Sequence, residues 1–279
     1  MNVVGAAAVL PSVRLTVSLA AALCLMAATA WAETDGFAEA RTILKEADQV
    51  ASKLEQGFVR DTLFHDIALA EAQAKDLNEA VQIAAHINES LAQAATVEQI
   101  VEVLAKSGRF QEALRTTTTI KDPENQAGAL QIIVIALAHD GRLPQAVEIA
   151  HRIEIDAIRS GAFRDVAIAQ AEAGDFKGAL QTVREITDLY RRNIALEGIA
   201  VAQAKRRQIQ AALQTAALIL DEVERADAFG GIAEVEAQAG NRDAALAWIH
   251  KLPSPMYQSR ALLGLANGIL QKAKTSPAK

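Results

Sequence analysis

One alanine column constrains this chain more than any other feature. Ala80, Ala113, Ala146, Ala179, Ala212 and Ala245 are spaced by 33 residues without a slip, and self-similarity at a fixed interval of this size is the signature of stacked supersecondary units. Other columns keep the same step. Seven residues further on stand Ile87, Ile120, Ile153, Ile186, Ile219 and Leu252, and beside the alanines run Val81, Leu114, Val147, Leu180, Leu213 and Leu246. Earlier in each unit Phe64, Val97, Leu130, Phe163, Leu196, Phe229 and Leu262 precede Ile67, Ile100, Ile133, Val166, Ile199, Ile232 and Leu265 by three residues. That spacing puts both side chains on one face of a helix. With 59 alanines in 279 residues, a residue that favours helix over strand, the chain is expected to be all-α.

The unit between residues 159 and 186 shows the logic. Over 159–173, Phe163, Val166, Ala167 and Ala171 recur at three and four, which predicts an amphipathic helix. Gly174-Asp175 then breaks it, because glycine takes the left-handed conformation that closes a helix. Gly108, Gly141 and Gly240 share that column, whereas Lys75 and Arg207 hold it with strain or a different turn. A second helix follows over 176–186 with Phe176, Ala179, Leu180, Val183 and Ile186. Pro123 and Pro255 share a column at the junction to the next unit, where proline starts a helix without losing a hydrogen bond.

Phe163, Gly174, Phe176, Ala179 and Leu180 stand as they would in a tetratricopeptide repeat: glycine at the turn, an aromatic two later, a small alanine three after that. The chain resembles that family over residues 60–275. It departs from it in its 33-residue period, where 34 is usual, and in Ala167 and Gln170, where the family prefers Gly and Tyr. Ankyrin repeats share the period, but no Thr-Pro-Leu-His segment occurs, and a HEAT-type array is the runner-up. The resemblance implies an all-α, right-handed α-solenoid of about six helical hairpins. These are expected to start near residues 60, 93, 126, 159, 192 and 225, with a last helix over 258–272. The expected organisation is a capping helix in 33–58, suggested by Ile43, Ala47, Val50 and Leu54, then the solenoid over 59–275 and a polar tail over 276–279.

Residues 15–32 carry no charge, Arg14 precedes them, and Ala30-Trp31-Ala32 has the small-x-small pattern that signal peptidase cuts after. The expectation is a signal peptide over 1–32, cleavage after Ala32, and a periplasmic or secreted protein starting at Glu33. An uncleaved segment would act as a membrane anchor. Cys24, the single cysteine, lies inside this run behind Leu23, not behind the Gly or Ala of a lipobox, and no twin-arginine pair precedes it. Cleavage therefore removes disulfides, thiolate catalysis and cysteine metal sites together.

A net charge of −6 and a pI near 5.5 argue against a nucleic-acid partner, which needs a basic surface. An aromatic content of 4% argues against base- or sugar-stacking grooves. His65, His86, His139, His151 and His250 include no His-Glu-x-x-His and no pair three or four apart, and no nucleophile elbow, Walker loop or Gly-x-Gly-x-x-Gly occurs. Gly230-Gly231 suits close helix packing, and Asp221-Glu222 suits a helix start. No catalytic, cofactor or metal residues are therefore assigned, and a non-enzymatic protein is expected.

One polar column stands out. Arg60, Arg159, Arg192 and Arg225, with Gln93, Gln126 and Gln258, open the first helix of each unit, where a cation opposes the helix dipole. Each side chain either folds back on an acid or carbonyl of the preceding turn, such as Asp156, Asp188 or Asp221, or contributes to a donor ladder for an acidic partner. The family resemblance further implies a concave recognition face on the first helices. One of its columns reads His65, Glu98, Gln131, Arg164, Glu197, Gly230 and Leu263. The other reads Gln73, Lys106, His139, Glu172, Lys205, Gln238 and Gln271. Arg164, Glu197, Lys205, Gln131, His139 and Glu172 are the candidate partner-binding residues, and no stacked Lys/Arg carboxylate clamp is present. The expected function is an exported scaffold or adaptor that binds a protein or peptide through this face. The alternative is a structural or assembly subunit that makes contact through its ends or N-terminal helix.

Overall fold

The computed structural model describes residues 36–275, and among them every regular element is helical. The signal segment 1–32, cleavage after Ala32, Cys24 and the tail 276–279 lie outside the described residues. The chain falls into two compact units, the first ending at Thr96 and the second starting at Val97.

The first unit holds α1 (36–51), α2 (Phe58–Gln73), α3 (Leu77–Ala84) and the opening turns of α4 (Ser90–Lys106). α2 and α3 pack together as a pair. α1 turns inward through Leu44, Ala47, Asp48 and Ala51, and Lys75 Nζ sits 4.6 Å from the centre of the Phe37 ring. The stripe suggested by sequence, Ile43, Ala47, Val50 and Leu54, is therefore not the docking stripe: Ile43, Val50 and Leu54 are exposed. The inner stripe is shifted by one residue because Ala47 belongs to both, and its other members are a leucine, an aspartate and an alanine that hydrophobicity alone ranks lower.

In the second unit, after the rest of α4, long helices alternate with short ones. These are α5 (Phe110–Thr117), α6 (Pro123–His139), α7 (Leu143–His151), α8 (Asp156–Ala173), α9 (Phe176–Thr182) with a 3₁₀ turn Val183–Glu185, α10 (Leu189–Lys205), α11 (Ile209–Ala216), α12 (Glu222–Gln238), α13 (Arg242–Ile249) and α14 (Pro255–Thr275). From α6 onward each long helix packs on the short one that follows it and on the next long one. Ala113, Ala146, Ala179, Ala212 and Ala245 are fully buried in this unit, as Ala80 is in the first. A methyl group at these points lets two helix backbones approach closely, which a larger side chain prevents.

The long helices begin two to three residues before the positions read from sequence, at 58, 90, 123, 156, 189, 222 and 255. Aspartate caps mark three of these starts. Asp122 Oδ1 accepts from Asn125 N at 2.9 Å, Asp188 Oδ1 from Arg191 N at 2.7 Å, and Asp221 Oδ1 from Val223 N and Glu224 N at 2.8 and 3.0 Å. Each aspartate satisfies N–H groups left without a partner in the first turn. Apolar periodicity cannot register that turn because it faces solvent.

At the opposite ends, six long helices close through a residue with positive φ: Gly108, Gly141, Gly174 and Gly240 at 74° to 94°, Lys75 at 67° and Arg207 at 61°. The next N–H reaches back five residues, as from Asp175 to Gln170 O at 2.8 Å and from Gln208 to Gln203 O at 2.9 Å, which is the geometry of a Schellman closure. A Cβ placed on Gly141 meets nothing within 4 Å, so substitution there isolates the backbone effect. Gly141→Ala is expected to lower unfolding free energy by about 1 kcal/mol. Arg207→Gly, which relieves the same conformation, is expected to raise it by up to about 1 kcal/mol. Urea denaturation followed by circular dichroism checks both, and equal shifts of the same sign would contradict the account.

Candidate functional site

The candidate partner residues all fall on long helices: Gln131 and His139 on α6, Arg164 and Glu172 on α8, Glu197 and Lys205 on α10. Three of them come together. His139, Arg164 and Glu172 line a hollow of about 480 Å³ between α6 and α8, with Ile135, Ala138, Asp165, Ile168 and Ala169 as its other walls. A second hollow of about 550 Å³ is lined by Glu102, Lys106, Phe110, Ile132, Ile135 and His139, among others. The two share Ile135 and His139 and so adjoin across α6; together they are called the valley. Its floor is the half-buried Ile132, Ile135 and Ile168.

The rim of the valley carries both signs of charge. Lys106 Nζ lies 2.6 Å from Glu102 Oε1. Arg164 donates from Nε and Nη2 to Asp165 Oδ1 at 2.8 and 2.6 Å. Arg164 is thus held in place by its chain neighbour, and any carboxylate binding there shares it with Asp165. The isoleucine floor was missed from sequence, yet it left a signal: Ile132, Ile135 and Ile168 are large apolar residues at positions outside the buried columns.

The other three candidates stand elsewhere. Gln131 fills the space above Gly161, its Nε2 3.0 Å from where a Cβ at 161 would be. Lys205 is exposed at the end of α10. Glu197 is surrounded by acids: burial first, then Asp227 and Glu224, push its carboxyl above the ordinary range. Asp227 is itself paired with Arg260, and Glu224 accepts from Asn193 Nδ2. Burial, then Asp122, likewise raises Glu98. Beyond α10 the face closes on itself. Gln238 Nε2 donates to Gln271 Oε1 at 2.7 Å, Gln271 Nε2 donates to Glu234 Oε1 at 2.8 Å, and a Cβ at 264 would collide with the Gly230 carbonyl.

The Arg/Gln column turns back on the preceding helix. Gln93 Nε2 reaches Ile87 O at 3.3 Å, Gln126 Nε2 reaches Thr117 O at 3.1 Å and Ile120 O at 3.4 Å, and Gln258 Nε2 reaches Leu252 O at 2.8 Å. Arg159 Nη1 donates to Ile153 O at 3.0 Å, Arg192 Nη2 to Ile186 O at 2.7 Å, and Arg225 Nε to Ile219 O at 2.7 Å. Apart from Thr117 O, nine residues back, each acceptor named lies six residues back, at the end of the short helix or just beyond it, where carbonyls lack helical partners and the dipole is negative. Of the three acids named from sequence, only Asp156 pairs with its arginine, Arg159. Arg60 differs, stacking its guanidinium 5.5 Å from the centre of Phe64.

In the first unit, a hollow of about 720 Å³ is lined by Phe58, Asp61, Thr62, His65, Asn88 and Glu89, among others. Thr96 Oγ1 donates to Ala92 O at 2.7 Å, so His65 Nδ1, 2.9 Å away, is the donor to Thr96. Asp61 accepts from the N–H groups of Asn88 and Glu89, both at 3.2 Å, and so ties the α3–α4 junction. Deeper in the same unit Glu71 is buried with Oε2 unpartnered. Its pKa is raised to about 7, by burial first and then by Asp76, Glu79 and Asp48, against the lowering effect of Arg41. No group of three or more His, Cys, Asp or Glu able to hold a metal ion occurs among the described residues, and no described helix is long and apolar enough to cross a membrane.

Set against known proteins, the chain matches no family model and no curated protein.

The raised pKa of Glu71 has a signed consequence. Between about pH 4.5 and about pH 7 the folded state keeps a proton that the unfolded chain has lost, so stability falls as pH rises through that window. The denaturation midpoint of the protein is expected to decline from about pH 5 to about pH 8. Glu71→Gln is expected to remove part of that decline and to exceed the parent at the upper end. An unchanged slope in the variant would show that Glu71 is not the titrating group.

Proposed function

We propose that this chain is an exported, non-catalytic scaffold that binds a protein or peptide along the valley on α4, α6 and α8. In this reading the 33-residue repeats are those of a right-handed, tetratricopeptide-like α-solenoid, and the protein is delivered across the membrane by the segment ending at Ala32. Three features support the stacked arrangement: the buried alanines 33 residues apart, the positive-φ closures, and the six side chains that reach carbonyls six residues back.

The observation that carries the binding reading is the pair of adjoining hollows that share Ile135 and His139, with half-buried isoleucines in their lining and charges of both signs around them. An apolar floor supplies burial for a side chain of the partner, and a mixed rim fixes its register. Rigid helices on either side of it limit the entropy lost on binding. Because charges of both signs are present, affinity is expected to be modest and only moderately salt-dependent. The site is thus centred on His139 of α6 and on Arg164 and Glu172 of α8, and not on Glu197 and Lys205 of α10.

Selection of a displayed random-peptide library tests this. Peptides enriched on the parent are expected to bind Ile135→Asp with Arg164→Glu at least about tenfold more weakly, equivalent to about 1.4 kcal/mol, and to bind Lys251→Glu unchanged. Equal binding by the valley variant, with its helix signal intact, overturns the proposal.

A further inference from the structure

α1 is held to the first unit by little apolar surface and by carboxyl groups that lack donors. Of its residues 36–51 only Ala51 is buried, and the larger apolar side chains Ile43 and Val50 point away from the unit, 60% and 55% exposed. A helix docked through so few buried contacts opens locally at low cost in free energy. Once detached, a helix of this length is marginal in water.

Its inner face sets one carboxyl group against another. Asp48 Oδ1 is buried without a hydrogen-bond partner, and so is Oε2 of Glu71, which is 1% exposed in the last turn of α2. A carboxyl group buried without a donor is tolerated chiefly while it keeps its proton. For Glu71, burial first, then Asp76 and Glu79 at the start of α3 and Asp48 on α1 favour the protonated form. Arg41 of α1 opposes them, but its Nε is engaged with Phe37 O at 3.2 Å.

Asp48 also meets His86, just beyond α3, whose Nδ1 lies 3.8 Å from Oδ1. This contact is attractive only while the histidine is protonated. The remaining groups around His86 are Phe64 of α2, edge-on at 5.3 Å with Arg60 over the same ring, and the uncharged Gln93 of α4, which donates to Ala84 O and Ala85 O. A rise in pH therefore acts in one direction at both places. It takes the proton from Glu71 and the positive charge from His86, so Asp48 is left with a like charge and a neutral ring as neighbours. Lifting α1 away lets water reach both carboxylates.

We infer that α1 is a pH-released cap, docked on α2 and α3 in mildly acidic solution and detached in mildly alkaline solution, when Glu71 ionises and His86 loses its charge across the inner face of α1. The valley lies in the second unit, and the inference is independent of peptide binding there.

Hydrogen exchange read by mass spectrometry tests it, with protection expressed against unstructured peptides of the same sequence at the same pH. Protection over 37–51 is expected to fall at least about tenfold between pH 5 and pH 8, while α10 in the second unit keeps its protection. At pH 8, Glu71→Gln is expected to recover most of what the parent loses over 37–51. An amide fits at this position, since Gln170 and Gln203 occupy the same 33-residue column and are buried. Equal protection of 37–51 at pH 5 and pH 8 in the parent overturns the inference, as does an equal fall in Glu71→Gln. A fall shared equally by α2 and α3 overturns it too, because the whole unit then opens and α1 is not released by itself. Should Glu71→Gln lose its helix signal, Asp48→Asn serves in its place with the same expectation, and a fall equal to the parent's again overturns the inference.

Discussion

The architecture depends on a side-chain N–H placed one turn into a long helix that reaches back to the end of the short helix before it. Helices of seven to nine residues, such as α7, α9 and α11, are marginal in isolation. Their final carbonyls have no helical partner and face a sharp change of direction. Arg192 supplies two donors to Ile186 O, Arg225 supplies Nε to Ile219 O, and Gln126 does the same to Ile120 with an amide. A cation near a helix start is unfavourable to its own helix and favourable to the one whose negative end it meets. The second effect dominates because it also satisfies a carbonyl that is otherwise unpaired, which explains why glutamine and arginine alternate in one column. With the junction fixed, the buried alanines allow the long helix to lie close on its neighbour.

How much of this was legible in the sequence follows from what each residue does. The alanines and the turn glycines were legible because they answer to one local demand, lack of a Cβ or lack of bulk, which no other residue meets as well. Lys75 and Arg207 were recognisable as exceptions for the same reason, and both take positive φ. Apolar periodicity put the starts of the long helices two to three residues late, since Asp188 and Asp221 act through a hydrogen bond to a backbone N–H that leaves no periodic trace, whereas Pro123, Pro255 and Asp221-Glu222 marked three of those starts by residue type. The inner stripe of α1 was missed because Asp48 and Ala51 rank below Ile43 and Val50 by hydrophobicity alone.

The candidate site was half legible. Column arithmetic found His139, Arg164 and Glu172, which line the same hollow from its two sides. It also selected Gln131, Glu197 and Lys205, which do not line it, because a column fixes a position along a helix and says nothing of how near the next helix comes. Gly161 draws α8 against Gln131, and Gly264 draws α14 against Gly230. The face therefore opens between α4 and α8 and closes beyond α10, where glutamines and backbone occupy the space. Asp165 shows a further limit: a carboxylate next in sequence takes the charge of Arg164 that was read as available to a partner.

The junction hydrogen bond is the central physical claim, and the unfolding free energies of Arg192→Gln and Arg192→Leu test it most directly. Leucine keeps the apolar stem and removes every donor, leaving the Ile186 carbonyl unpaired, so it is expected to cost about 1 to 3 kcal/mol. Glutamine, which performs the same task at residues 93, 126 and 258, is expected to lose less than half of that. Equal losses for the two variants, or no loss for leucine, would contradict the account.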